Sequence, residues 1–93
     1  ILERNPNDFQ TYWGYTILVK NRDKLIKALN RCNIESGQIH ARNDKYSMFK
    51  SNKKLQLPNT DWFDKSEIAI PCGWWVSKQT QNFIIEKVKE AVS

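Results

Sequence analysis

The sequence predicts an α+β domain of order βαββα, in which two helices cover one face of a three-stranded sheet. Three observations support this fold class. β-Forming residues are concentrated in three segments, apolar residues recur at helical spacing after the first and the last of them, and a potential cap precedes each helical stretch. We expect residues 1–93 to form one domain, with a modest core because a chain of this length buries only about 60–65% of its unfolded surface.

The first strand and the first helix are predicted from the N-terminal third. Residues 1–10 are polar, contain Asn-Pro-Asn and are typical of a linker that leads into the domain. Residues 11–20 predict the first strand, because the run from Tyr15 favours β structure. Asn21 can cap the next helix, and Asn33 is suited to stop it in a left-handed conformation. The apolar stripe of this helix consists of Leu25, Ile26, Leu29 and Cys32.

The middle of the chain predicts the second strand and a long loop. Residues 34–42 favour a strand, although Gly37 weakens it. Residues 43–57 predict a loop with a helical turn around Tyr46 and Phe49. These two rings are spaced for packing as a pair, in the core or in a lid.

The C-terminal third predicts the remaining strand and helix. Pro58 favours a short turn of helix, with Trp62 and Phe63 facing inward. Residues 67–72 predict the third strand, and Ser77 can cap the last helix. The buried stripe of that helix is predicted to be Ile84, Val88 and Val92, with Phe83 and Ala91 at its edge.

The composition restricts the class of protein. Fifteen Lys and Arg against ten Asp and Glu give a net charge of +5, which suits an anionic partner. The densest basic cluster, at Lys50, Lys53 and Lys54, lies in a polar loop without an RNA-binding aromatic signature, so a solvated loop is favoured and nucleic acid is not. No apolar run approaches the ~20 residues of a membrane span, and no signal peptide is visible.

The cysteines and the first residue give further expectations. Cys32 and Cys72 are far apart, so free thiols in a cytoplasmic chain are favoured over a disulfide. Together with His40 and Asp44 they lack the local spacing of a zinc site, and no metal is expected. Because the chain begins with Ile1 rather than Met, we expect it to be a piece of a longer protein.

A corner rich in tryptophan follows the third predicted strand. Pro71 and Gly73 stand before Trp74 and Trp75, and further aromatic residues occur at positions 12 and 13. Trp side chains in such a corner need something to cover them. Either they stack on a ligand or line the mouth of a site, or one fills the core and the other seals an interface. The second interpretation is favoured, and it predicts that this domain docks on a larger body.

Four segments carry motifs that occur in a fixed order. Residues 13–19 (Trp-Gly-Tyr-Thr-Ile-Leu-Val) precede Asn-Arg-Asp at 21–23, and residues 40–49 begin His-Ala-Arg-Asn-Asp-Lys-Tyr. Residues 57–61 are Leu-Pro-Asn-Thr-Asp, and residues 70–77 are Ile-Pro-Cys-Gly-Trp-Trp-Val-Ser. Together they resemble the C-terminal domain of the DegT/DnrJ/StrS-type sugar aminotransferases, and the resemblance covers nearly the whole chain.

The resemblance implies a function for the longer protein. Members of that family transfer an amino group, usually from glutamate, to a keto group of a nucleotide-linked sugar with pyridoxal phosphate as cofactor. The Schiff-base lysine and the other cofactor contacts belong to the large N-terminal domain. The resemblance therefore implies that this chain is the small C-terminal domain, which docks on the large domain, helps to form the substrate cleft and is not catalytic alone. It also implies a homodimer for the full-length protein.

The candidate site residues lie where the second predicted strand ends. His40 and Asn43 can hydrogen-bond a sugar, and Arg42 can pair with a phosphate or a carboxylate of the substrate. The alternative is a polar strand end with a turn at residues 43–44. Trp74, Trp75 and Tyr46 are the candidates for lining the cleft or the interface.

Two other classes of function stay open from the sequence. One is a stand-alone basic βαββα module that binds a nucleic acid or a phosphorylated ligand, which needs exposed aromatic residues on the open sheet face. Strand one instead has apolar residues on both faces, which fits burial against protein. The other is a stand-alone enzyme with His40 as acid or base, which lacks an evident orienting partner.

Overall fold

The domain contains a two-stranded antiparallel sheet and three α-helices among its described residues. The computed structural model describes residues 5–9, 11–49 and 56–93. The predicted lysine cluster, part of the predicted loop, and residues 1–4 and 10 of the predicted linker therefore lie outside the described residues. The elements are β1 (Tyr15–Leu18), α1 (Arg22–Arg31), α2 (Pro58–Ser66), β2 (Glu67–Ile70) and α3 (Lys78–Val92). Two 3-10 turns, Asn43–Lys45 and Ser47–Phe49, stand between α1 and α2.

The sheet pairs a strand from the N-terminal third of the chain with one from the C-terminal third. β1 pairs with β2 so that Tyr15 lies opposite Ile70 and Leu18 lies opposite Glu67. Both strands are shorter than predicted. β2 ends before Pro71, which has no N–H to donate to a ladder. The α+β class is confirmed, with three α-helices and a two-stranded sheet among the described residues.

The prediction of a second strand over residues 34–42 is wrong. Residues 34–42 meet the sheet only at Gly37, which exchanges two backbone hydrogen bonds with Ala69, of 3.3 and 2.8 Å. Ile34 is buried, whereas Ile39 is 45% exposed. Their separation of five residues puts them on opposite faces of any regular strand, so no single face could bury both. The expected three-stranded sheet is therefore a two-stranded one with an added bridge.

Local chemistry fixes the ends of the two long helices. The side chain of Asn21 accepts a hydrogen bond from the Lys24 amide at 3.2 Å, and Ser77 Oγ accepts one from the Thr80 amide at 3.1 Å. Asn33 has φ of 59°, the left-handed conformation expected after a helix. All three predictions from the sequence are confirmed.

The core lies where α1 and α3 pack together on the sheet. Its buried members are Leu25, Leu29, Ile34, Ile68 and Ile84. Val88 and Ala91 pack against it, but Val92 is 57% exposed, so its predicted place in the stripe is wrong. At 3.6 residues per turn Ala91 lies about 20° from Ile84 around α3, whereas Val92 lies about 80° away.

Helix α2 is longer than the short turn expected at Pro58. It is a nine-residue helix with this proline in its first turn. Phe63 is half-buried, but Trp62 is 59% exposed, so the inward orientation predicted for Trp62 is wrong. Among the described residues, α2 packs chiefly on β1.

Candidate functional site

A large cleft lies between α2 and the segment that follows Gly37. Its volume is about 870 Å³. Residues 40–44 and Tyr46 form one wall, while Thr60, Phe63 and Asp64 of α2 form the other. Thr16 of β1 and Glu67 of β2 also line it, so the sheet contributes to the cleft as well.

Arg42 is the most strongly bonded side chain in this cleft. Its Nε and Nη2 atoms donate to the two carboxylate oxygens of Asp44 at 2.6 and 2.7 Å, and Nη1 donates to Asp61 of α2. The Arg42 side chain is only 13% exposed. The hydrogen bonds from Arg42 hold the pKa of Asp44 below its usual value, and the two carboxylates raise the pKa of Arg42. Each partner therefore keeps the other charged.

Helix α2 holds the same segment at a second acidic residue. Gln38 Nε2 donates to Asp64 Oδ1 at 2.7 Å, and the Lys45 ammonium lies 4.0 Å from Asp64 Oδ2. Because Asp61 and Asp64 are three residues apart, they face the same side of α2. This side of the helix therefore contacts the chain on both sides of Arg42, by a hydrogen bond from Gln38 and by an ion pair with Lys45.

His40 and Asn43 lie in the same wall with their side chains exposed. The ring of His40 stacks on the Trp13 indole, with ring centres 5.6 Å apart and planes inclined by 27°. No side-chain hydrogen bond of His40 or Asn43 is found within the described residues. The structure thus brings His40, Arg42, Asn43 and Tyr46 into one cleft. The substrate-binding role of His40, Arg42 and Asn43 stays a prediction.

Trp74 and Trp75 lie elsewhere, at the corner after β2. Their rings meet edge to face at 5.9 Å and are 93% and 70% exposed, so the interpretation that one of them fills the core is wrong. A Cβ atom on Gly73 would lie 2.2 Å from the Trp75 ring, which shows how closely that ring covers the backbone. Trp75 and Trp13 border a second hollow, beside Gly37.

Sequence reasoning missed the acidic residues that organise the cleft. The motif at residues 57–61 includes Asp61 without giving it a role, and no motif points to Asp64 or Glu67 as site residues. One signal was available in the sequence: Asp61 and Asp64 are three residues apart, a spacing that places two acidic side chains on the same face of a helix. The residues around Arg42 do not reveal that its guanidinium bonds to Asp61, which lies 19 residues further along the chain.

The described residues are predicted to hold neither a metal site nor a membrane span, and two structural findings bear on this. Within the described residues, no group of three or more His, Cys, Asp and Glu residues could hold a metal ion. In this part of the chain no helix is both long and apolar enough to cross a membrane. Cys32 and Cys72 are both free thiols.

Comparisons with known proteins agree with the motifs. The sequence model of the DegT/DnrJ/EryC1/StrS aminotransferase family matches residues 1–89. The crystal structure of the sugar aminotransferase CalS13 from Micromonospora echinospora matches with a TM-score of 0.84 and 25% sequence identity. The match covers 95% of this chain and 24% of CalS13, so the chain spans about a quarter of that enzyme's length. No curated protein sequence matches the chain significantly.

Proposed function

Because this chain belongs to the DegT/DnrJ/EryC1/StrS aminotransferase family, we propose that it is the small C-terminal domain of a pyridoxal-phosphate-dependent nucleotide-sugar aminotransferase. The observation that carries this proposal is the cleft whose wall contains His40, Arg42 and Asn43. His40 and Asn43 offer hydrogen-bonding groups that suit sugar hydroxyls, and Tyr46 adds an aromatic surface. The sugar aminotransferase CalS13, which has the same fold over this region, supports the choice of substrate class.

Pyridoxal phosphate does not fit the described residues alone. When bound to an enzyme, this cofactor acts as an electron sink and needs a lysine for its Schiff base. The described lysines are exposed apart from Lys87, which is half-buried and paired with Glu90 at 3.2 Å. We therefore propose that the cofactor is held by a large domain outside this chain, and that this chain shapes the substrate cleft without catalysing transfer alone.

The partner surface proposed for that large domain is the tryptophan corner. Trp74 and Trp75 present large apolar rings to solvent, and such rings are typical anchors of interfaces. A homodimer of the full-length protein is proposed by analogy with the family. We also propose a cytoplasmic location, which the free thiols Cys32 and Cys72 favour.

The alternative of a basic module for nucleic acid or a phosphorylated ligand has less support. The cleft is lined by the carboxylates of Asp44, Asp64 and Glu67, which repel phosphate groups. The four residues of β1 are half-buried and leave no exposed stacking platform on that strand. An acid–base role for His40 has no orienting carboxylate within the described residues.

The test uses the full-length protein that contains this chain. We expect glutamate-dependent amino transfer to a nucleotide-linked keto sugar, and we expect Asn43→Ala and His40→Ala each to raise the KM for the sugar by about fivefold or more. The matched control is Asn30→Ala, which removes the same amide from an exposed position on α1. Absence of transfer to all such sugars would refute the proposed function. An equal effect of the control would refute the site.

A further inference from the structure

The cleft wall that contains His40 and Asn43 is held by polar contacts. No side chain from Glu35 to Phe49 is buried, and residues 38–46 are exposed except for Arg42 and Asp44. After the bridge at Gly37, no part of this wall is anchored in the apolar core. Its geometry must therefore depend on hydrogen bonds and ion pairs.

Those contacts converge on one side of α2. Arg42 donates a hydrogen bond to Asp61, and Gln38 donates one to Asp64. The Lys45 ammonium forms a longer ion pair with Asp64, at 4.0 Å. Arg42 also makes two parallel hydrogen bonds to Asp44 within the wall. Such a planar, two-point contact fixes orientation as well as distance, which a lysine cannot reproduce. Arg42 is thus the residue that joins the turn after it to the helix across from it.

The charges argue against a direct role for Arg42 in binding a substrate anion. Its guanidinium already faces two carboxylates, and Asp64 and Glu67 add two more. Among the described residues the further cations beside these acids are Lys45 and Arg22, and the Arg22 guanidinium is bonded to the backbone carbonyls of Asp64 and Glu67, so the acidic groups still outnumber the basic ones. A phosphate entering here would meet an excess of negative charge, although the whole chain is basic. An uncharged, hydroxyl-bearing group would meet no such repulsion.

We propose that Arg42 is a positioning residue, which with Asp44 and Asp61 holds the wall on α2 so that His40 and Asn43 face the sugar ring of the substrate. The phosphates of the nucleotide then bind elsewhere. This inference rests on the proposed function for its substrate, but the attachment of the wall to α2 can be measured without it.

Asp61→Asn in the full-length protein separates positioning from direct binding, because the two roles predict opposite signs. If Arg42 bound the substrate anion, weakening its tie to Asp61 would leave the KM for the sugar unchanged or lower it. Positioning instead predicts that KM rises about fivefold, with kcat within about twofold. It also predicts that Arg42→Ala combined with Asp61→Asn is no worse than Arg42→Ala alone, because both remove the same connection. Arg42→Lys should not restore KM.

Amide hydrogen exchange in the full-length protein gives a second readout. We expect exchange of residues 38–46 to become at least about fivefold faster in Asp61→Asn and in Arg42→Ala. The control Asp23→Asn removes an exposed carboxylate of α1 and should change nothing. Faster exchange in a protein without transferase activity would support the attachment and refute the proposed function. Unchanged exchange in both variants, or an unchanged or lower KM in Asp61→Asn, would overturn the positioning role.

Discussion

Replacing Arg22 tests how the two halves of the domain are joined. Arg22 is the first residue of α1, and its Nη1 atom donates to the backbone carbonyls of Asp64 and Glu67, the second at 3.3 Å. These carbonyls lie where α2 ends and β2 begins. Because a hydrogen bond from a charged donor contributes about 1.5–3 kcal/mol and the second contact is longer, we expect Arg22→Ala to lower the free energy of unfolding by about 2–3 kcal/mol.

The assay must follow backbone structure. All four tryptophans are more than half exposed, so their fluorescence reports unfolding poorly. We would follow far-UV circular dichroism of the 93-residue chain in urea and extrapolate linearly to water. Lys27→Ala is the matched control, since it also removes a cation from α1 but at an exposed position, and we expect a change within about 0.5 kcal/mol. Equal effects of the two substitutions would show that the Arg22 contacts contribute nothing.

Two further predictions concern the corner and the last helix. Gly73→Ala should displace the Trp75 ring, seen as a changed near-UV circular dichroism of tryptophan, whereas Gly37→Ala, whose Cβ would meet nothing within 4 Å, should leave that signal unaltered. Ser77→Ala should reduce unfolding free energy by about 1 kcal/mol in the same urea assay, because it removes the cap of α3; no loss would mean that the cap is replaced by water.

The candidate site could be located from the sequence but not understood from it. The motif at residues 40–49 pointed to His40, Arg42 and Asn43, and the structure places them in one cleft. The sequence suggested that Arg42 was available to a substrate anion. Its actual partners include Asp61, which approaches only because α2 folds across the cleft.

The tryptophans show the same limit. Trp62 was expected to face inward, and one indole of the Trp74–Trp75 pair was expected to fill the core, because large apolar side chains are normally covered. The described core is instead completed by aliphatic residues of α1, α3 and β2. The sequence predicts that large apolar side chains are buried, but only the packing of the folded chain determines whether its own residues bury them.

What the sequence determined by itself are the features whose cause lies within a few residues. Asn21 and Ser77 cap helices because their side chains reach an amide three residues away, and Asn33 follows the first helix in the left-handed conformation that asparagine tolerates. Tertiary structure alone decided that residues 34–42 touch the sheet once and that Arg22 bonds to carbonyls 42 and 45 residues further along. The physical reason is that a long-range bond requires both groups to be brought together by the packing of other elements, and that packing is not encoded at either residue.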